Sequence, residues 1–211
     1  MLEPKIEGQI LSLFPTPLYT HLLTDGELEH TQYDVSRIVK KLYKEDSWGQ
    51  NEQWGSSTSQ LSNKGNFREC IITSENMMHM KQSIMHHCGN YMQHMNVRPD
   101  YQAAIISSWL SLTSPGLHAH THDHGTAHIS GVYWFKTTGN DGNIVFRNAL
   151  KALKCNPIGA TFAHENEFIP EEGRIVMWPS FLDHAVNENR TDDDRISLSF
   201  NIVLETGATL R

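Results

Sequence analysis

The sequence predicts an α+β, mainly β protein: an antiparallel jelly roll with N-terminal helices packed on one of its sheets. Three observations carry this. Two segments in the N-terminal half space their apolar residues at the helical period. After Arg98-Pro99 the texture changes to short runs rich in β-branched and aromatic residues, separated by Gly, Pro, Asn and Asp. In Ile196-Ser197-Leu198-Ser199-Phe200-Asn201-Ile202 apolar residues fill every second position, the mark of a strand with one buried face. Helices followed by many short strands fit helices laid on an antiparallel sandwich.

Taken in order, Ile10 to Tyr19 reads as an extended segment whose two prolines, Pro15 and Pro17, suit an edge strand. Glu27 to Glu45 carries Val35, Ile38, Val39, Leu42 and Tyr43 on one helical stripe. Gly49 to Phe67, rich in Gly, Ser, Asn and Gln, reads as a long surface loop. A second helix is expected from Ser74 to about Met95. Its Met77, Met80, Ile84, Met85, Met92 and Met95 would pack in the core, where methionine fills irregular gaps. His79, His86, His87 and His94 on that helix are expected to be solvated or half-buried rather than metal-bound. Strands are expected at 103–113, 128–136, 143–146, 167–170, 173–178 and 195–204. The whole of 1–211 is read as a single domain, helical to about residue 98, with the jelly-roll core at about 99–205.

The 211 residues can bury one sizeable core, and 38% hydrophobic with 19% charged residues is ordinary for a globular chain. The net charge of -7 argues against a partner held by a general positive surface, so nucleic acid is not expected as a partner. Membrane association is not expected either: no apolar run reaches spanning length, and the N-terminus lacks the basic start and apolar stretch of a signal peptide. Cys70, Cys88 and Cys155 form neither a metal motif nor a disulfide framework, which points to the cytoplasm. An edge strand or an exposed helix face is available for a homodimer.

Five histidines, His118, His120, His122, His124 and His128, lie within eleven residues. Residues two apart on a strand face the same way, so two imidazoles can share a metal. Alternation alone does not choose among His118/His120, His120/His122 and His122/His124, and a surface tract binding adventitious metal is the plain alternative. His184, five residues after Pro179, would start a new strand after a tight turn and bring a third imidazole back. Asp123 has the wrong parity to act as a carboxylate ligand beside either neighbour.

Arg195 and Ser197 share a facing eleven and thirteen residues beyond His184. A guanidinium grips a carboxylate through two parallel hydrogen bonds, and a nearby hydroxyl adds a third. The alternative is a surface arginine paired with Asp192 to Asp194.

The run Trp109-x5-Pro115-Gly116-x5-His122-x-His124-Gly125-x4-Ser130-Gly131-Val132-Tyr133 resembles the 2-oxoglutarate-Fe(II) oxygenases found in phages and marine bacteria. So do Gly142 to Phe146, Gly173 to His184, Arg195 to Asn201 and the opening Phe14-Pro15-Thr16-Pro17-Leu18. The resemblance implies a double-stranded β-helix, Fe(II), and 2-oxoglutarate and O2 as co-substrates for C–H hydroxylation of an unidentified primary substrate. It further implies His122, His124 and His184 as metal ligands and Arg195 with Ser197 as the 2-oxoglutarate clamp, with Tyr133 contributing a phenol hydrogen bond. The chain departs from the family at Ser111 and Thr113, where amide side chains are usual, and at Arg147-Asn148, which replaces Asp-Pro. Its host would be a bacterium or a phage-infected cell. Two competitors share the fold: a cupin-type metal dioxygenase that needs no Arg195 or Ser197, and a non-catalytic metal-binding jelly-roll accessory protein.

Overall fold

The computed structural model describes residues 16–51, 56–58, 70–148 and 165–206. In chain order its elements are β1 (Tyr19–Leu22), α1 (Asp25–Lys44), β2 (Gly49–Asn51), β3 (Ser56–Thr58), α2 (Ile71–Ser74), α3 (Met78–His94), β4 (Tyr101–Thr113), β5 (Ala119–His122), β6 (Ile129–Lys136), β7 (Ile144–Arg147), β8 (Glu165–Phe168), β9 (Arg174–Pro179), β10 (His184–Val186) and β11 (Arg195–Thr206). They form a seven-stranded sheet, β1-β9-β6-β11-β4-β3-β2, and a four-stranded sheet, β5-β10-β7-β8. Every strand pairing is antiparallel. This is the expected jelly roll.

Alternation along the central strands divides the large sheet between two cores. Ile196, Leu198, Phe200 and Ile202 of β11 join Leu110 and Leu112 of β4, Tyr133 of β6, and Ile175 and Met177 of β9 in the cluster that packs on the helices. α1 meets that face with Val35, Ile38, Val39 and Leu42, and α3 with Met80, Ile84, Cys88 and Tyr91. The opposite face contributes Val132, Trp134, Val176 and Trp178, which pack on Ile144, Phe146 and Leu182 from the four-stranded side. Each such side chain, once buried, adds about 1.5–3 kcal/mol, so both faces resist a register slip. Gly131 is the one residue its place in β6 tolerates. A Cβ there would lie 2.3 Å from Phe200 Cζ and 2.9 Å from Val176 O.

Several expectations shift. The second helix does not start at Ser74: it is split into α2 and α3, with Asn76 between them at φ 52°. Asp34 of α1 accepts the first free N–H groups of α3, from His79 at 2.9 Å and Met80 at 3.0 Å, and so caps the helix from outside its own sequence. The stretch read as a surface loop contains β2 and β3, since Ser57 and Thr58 pair with Leu112 and Ser111 on the edge of β4; residues 52–55 and 59–67 lie outside the described residues. The N-terminal part is therefore not purely helical. The two prolines precede an edge strand as expected, but that strand is β1 at Tyr19–Leu22, and residues 1–15 lie outside the described set. His87 is buried, at 2% exposure, rather than solvated. Cys88 is buried and Cys70 half-buried, both as free thiols, while Cys155 lies outside the described residues.

Candidate metal and anion site

A cavity of about 300 Å³ opens between the two sheets, lined by inward-facing residues of β4, β6, β9 and β11 and by the histidines of the smaller sheet. His122 ends β5 and His184 begins β10, and the two are direct partners across the antiparallel ladder. His124 lies past the end of β5, held by its N–H to Ser180 O at 2.9 Å. Strand β5 ends at His122, and the turn at Gly125 and Thr126, closed by Ala127 N–H to His124 O at 2.9 Å, follows His124. Ligand atoms of His122, His124 and His184 all lie within 4.8 Å of one another. His118 and His120 are exposed with rings 4.6 Å apart, and His128 Nδ1 accepts from Leu204 N at 2.8 Å; none of the three joins the cluster.

The protonation chemistry of the cluster favours a cation. Burial, then the neighbouring His122, pushes His184 down to about 3. Burial, then His122, pushes His124 down to about 4, and burial lowers His122 as well. All three imidazoles are thus neutral at pH 7 and keep lone pairs for a metal. Two are also oriented. With Nδ1–H of His122 donated to His120 O at 2.7 Å, and that of His184 to Leu182 O at 3.0 Å, each Nε2 is the bare nitrogen. Asn201 Nδ2 lies 3.3 Å from His124 Nδ1, and the same amide joins Ser107 at 3.0 Å and Ser130 at 2.8 Å. Asp123 does not enter the cluster: its Oδ1 accepts from Gly125 N at 2.9 Å.

Arg195 occupies another part of the cavity lining. It is 3% exposed, which rules out the surface ion pair with Asp192 to Asp194. Nη1 donates to the carbonyls of Asp141 at 2.6 Å and Gly142 at 2.7 Å, and Nη2 to Thr113 Oγ1 at 3.1 Å. That leaves two of the five guanidinium N–H groups uncommitted to these partners. Burial lowers its pKa to about 10 while the nearby Asp141 charge raises it in part, so it remains charged at pH 7. Its hydrogen bonds go to neutral acceptors, and two N–H groups remain for a further partner in the cavity. Gly142 makes the seat possible. It sits at φ +104°, and a Cβ there would come within 2.9 Å of Arg195 Nη1 and 2.2 Å of Asn187 O. Ser197, two residues along β11, also lines the cavity.

Tyr133 does not take the role expected of it. Val132 and Trp134 face the cavity, so parity sends Tyr133 to the helix side, where it is fully buried and its hydroxyl lies 3.4 Å from Thr31 Oγ1. Trp178 of the cavity and Asn189 beside Arg195 escaped the sequence reading. Trp178 is buried against His184, with ring centroids 4.9 Å apart, and its Nε1 has no hydrogen-bond partner. Asn189, buried, ties the turn before Arg195 to Thr113 O at 2.9 Å and Asp193 O at 2.7 Å. Ser111 and Thr113, singled out in the sequence as departures from the family, face the cavity with Trp109, as the alternation of β4 dictates.

Fold and cavity together define a jelly-roll protein with three convergent neutral histidines and a buried cationic anchor in one cleft. The family model described as "Putative 2OG-Fe(II) oxygenase" matches residues 107–201. That stretch holds all three histidines, Arg195 and Ser197, so the residues that converge on the cavity fall inside the part of the chain that is similar to this family. The epimerase SnoN from nogalamycin biosynthesis, described as non-heme and α-ketoglutarate dependent, superposes with a TM-score of 0.62 at 11% identity, covering 89% of this chain and 78% of its own. A Pseudomonas putida prolyl-4-hydroxylase gives 0.55 at 14% identity, covering 88% and 92%. These likenesses establish the fold. A Burkholderia pseudomallei oxidoreductase of the 2OG-Fe(II) oxygenase family matches over 61% of this chain at 14% identity and a TM-score of 0.46, and the chain spans 59% of its length. No curated protein matches the sequence. The cupin and accessory-protein readings are not favoured. No described helix is long and apolar enough to cross a membrane.

Proposed function

We propose that His122, His124 and His184 hold Fe(II), that Arg195 and Ser197 grip the distal carboxylate of 2-oxoglutarate, and that the enzyme hydroxylates a C–H bond with release of succinate and CO2. One observation carries the reading: a buried guanidinium with two uncommitted N–H groups shares a cavity with three neutral imidazoles. A dicarboxylate such as 2-oxoglutarate answers both ends at once, one end chelating a metal and the other meeting the guanidinium. The donor set fits the metal, since three neutral imidazoles on one side leave positions for water, oxygen and a chelating ligand. The orphaned Trp178 Nε1, buried beside His184, fits a site that a ligand oxygen completes. When bound, the iron supplies oxygen activation coupled to oxidative decarboxylation of the co-substrate.

The chain's own contribution is binding, orientation and exclusion of water. Arg195 stays charged in a dry setting, where a bidentate carboxylate bond is worth more than in water. Thr113 and the two carbonyls hold its fork in place, and Ser197 offers a hydroxyl alongside. Val132, Trp134 and Ile144 line the same cavity and keep it poor in water. The net charge of -7 disfavours duplex nucleic acid as the primary substrate. We place the reaction in the cytoplasm of a bacterium or phage-infected cell. The free thiols Cys70 and Cys88 agree with that compartment, while the bacterial or phage host rests on the resemblance alone. A homodimer through an exposed edge or helix face belongs to the same proposal and is read by light scattering.

The test is oxygen uptake and succinate release with Fe(II), with and without 2-oxoglutarate. Succinate formed only when both are present supports the proposal. Metal-dependent oxygen uptake that ignores 2-oxoglutarate would contradict it.

A further inference from the structure

On the far side of the large sheet, where β1 meets the helices, a second set of ligating side chains converges. His21 comes from β1, Glu27 from the first turn of α1 and His87 from the middle of α3. One ligand atom from each lies within 4.8 Å of the other two. We propose that His21, Glu27 and His87 form a second divalent-cation site, of the Zn(II) class, that clamps the edge strand β1 to the helical layer. This site shares no residue with the oxygenase cavity and does not depend on that reading.

The hydrogen bonding around His87 points to an ion independently of the cluster geometry. The side chain is 2% exposed, and its Nε2 is buried with no hydrogen-bond partner. Nε2 lies 3.3 Å from Glu27 Oε1 yet is not aligned to bond it. The other ring nitrogen, Nδ1, lies 2.7 Å from the Tyr19 hydroxyl. If Nδ1–H donates to the phenol oxygen, Nε2 presents a lone pair toward a carboxylate, and two acceptors face each other. If the phenol donates to Nδ1 instead, Nε2–H is a buried donor left without a proper acceptor. A cation beside both Nε2 and Glu27 removes the conflict. Nδ1–H then donates to Tyr19, as the outer nitrogen of a metal-bound histidine ordinarily donates to a neighbouring acceptor.

The surroundings fit as well. Ser83 Oγ donates to Glu27 Oε1 at 2.7 Å and fixes the carboxylate. His21 is exposed, and its ring centroid lies 4.5 Å from that of His87, so it covers the solvent side. Burial lowers the His87 pKa, and the Glu27 carboxylate opposes that shift. Two imidazoles and one carboxylate are a common Zn(II) donor set, with a further position left for water. That position would open toward the groove formed by Glu27, His30, His79 and His86. Because the ligands come from three elements, the ion would bind the folded state alone and stabilise it.

The experiment uses full-length, metal-stripped protein carrying His122→Ala and His124→Ala, so the oxygenase cavity cannot contribute. Zn(II) titrated by calorimetry should bind as one equivalent. At a hundredfold excess over Kd it should raise Tm by about 5–10 °C. Adding His21→Ala or Glu27→Gln, both outside the core, should weaken binding at least about tenfold and remove most of the Tm rise. Co(II) in the same background should show the intense visible absorption of low-coordinate cobalt, and His21→Ala should abolish it. No bound equivalent would overturn the proposal. So would an equivalent untouched by His21→Ala and Glu27→Gln but lost with His118→Ala and His120→Ala, the exposed pair beside the cavity.

Discussion

The two faces of the large sheet are made by the same strands and have opposite character. Along β11, Ile196, Leu198, Phe200 and Ile202 point into a dry apolar core beneath the helices. Their neighbours Arg195, Ser197, Ser199 and Asn201 line the cavity. The helix face tolerates only shape, since its partners are other apolar side chains. The cavity face tolerates buried polarity because each group has a partner or, as with Arg195 and Trp178, awaits one. Stability and chemistry are therefore interleaved at a period of two rather than assigned to separate segments.

That contrast can be broken by substitution on either face. The largest effect belongs to the metal end. His184→Ala should lower succinate production by more than about 100-fold, because even groups that only support a metal ligand cost about 10–100-fold. Iron content after gel filtration checks whether the loss is of metal. At the anchor, Arg195→Ala removes one partner of a buried charge pair, a change worth about 2–5 kcal/mol, or about 30- to several-thousand-fold in 2-oxoglutarate affinity. Added Fe(II) should still bind, which separates the two ends of the cavity. Leu198→Ala, on the helix face, should cost about 2–5 kcal/mol of stability in urea unfolding. Its kcat at low temperature should stay close to wild type; a large loss of kcat with iron and co-substrate bound would mean the faces are not independent.

Smaller effects sharpen the picture. In the unfolded chain His124 and His184 would titrate near 6.5, whereas folded they are held down to about 4 and about 3. Between these values the unfolded state binds more protons, so stability of the metal-free protein falls as pH drops from about 6.5 toward 4. The His184→Phe variant should lose less over that range, as read from denaturant midpoints. A wild-type curve that is flat across it would contradict the buried neutral histidines. Smallest of all, Ser197→Ala removes one hydroxyl and should weaken 2-oxoglutarate by about tenfold or less, with Tm nearly unchanged.

Much of this was legible before the structure. The alternation of residues 196–202 gave β11 its facing, and with it the inward direction of Arg195 and Ser197. What escaped was whatever depends on two distant segments meeting. No local signal marks Asp34 as the cap of α3, or Ser57 and Thr58 as partners of β4. Alternation left three histidine pairs open because the choice is made where the chain leaves β5: His122 is paired with His184 across the ladder, and the His124 N–H is fixed on Ser180 O. The resemblance had pointed to that pair, and the cross-strand register supplies a physical reason for it. Tyr133 failed for the opposite cause, since its parity with Gly131 was readable and sends it to the helix side. His87 looked like an ordinary helical histidine because its burial depends on Tyr19 and Glu27, which arrive from elsewhere.

The central claim is that one dicarboxylate bridges the three histidines and Arg195. Anaerobic addition of Fe(II) and 2-oxoglutarate to the wild type and to Arg195→Ala tests it most directly, read as a weak visible metal-to-ligand charge-transfer band. The account predicts the band in the wild type, and its appearance in Arg195→Ala only at much higher 2-oxoglutarate. No band in the wild type, or the same 2-oxoglutarate dependence in both proteins, would contradict it.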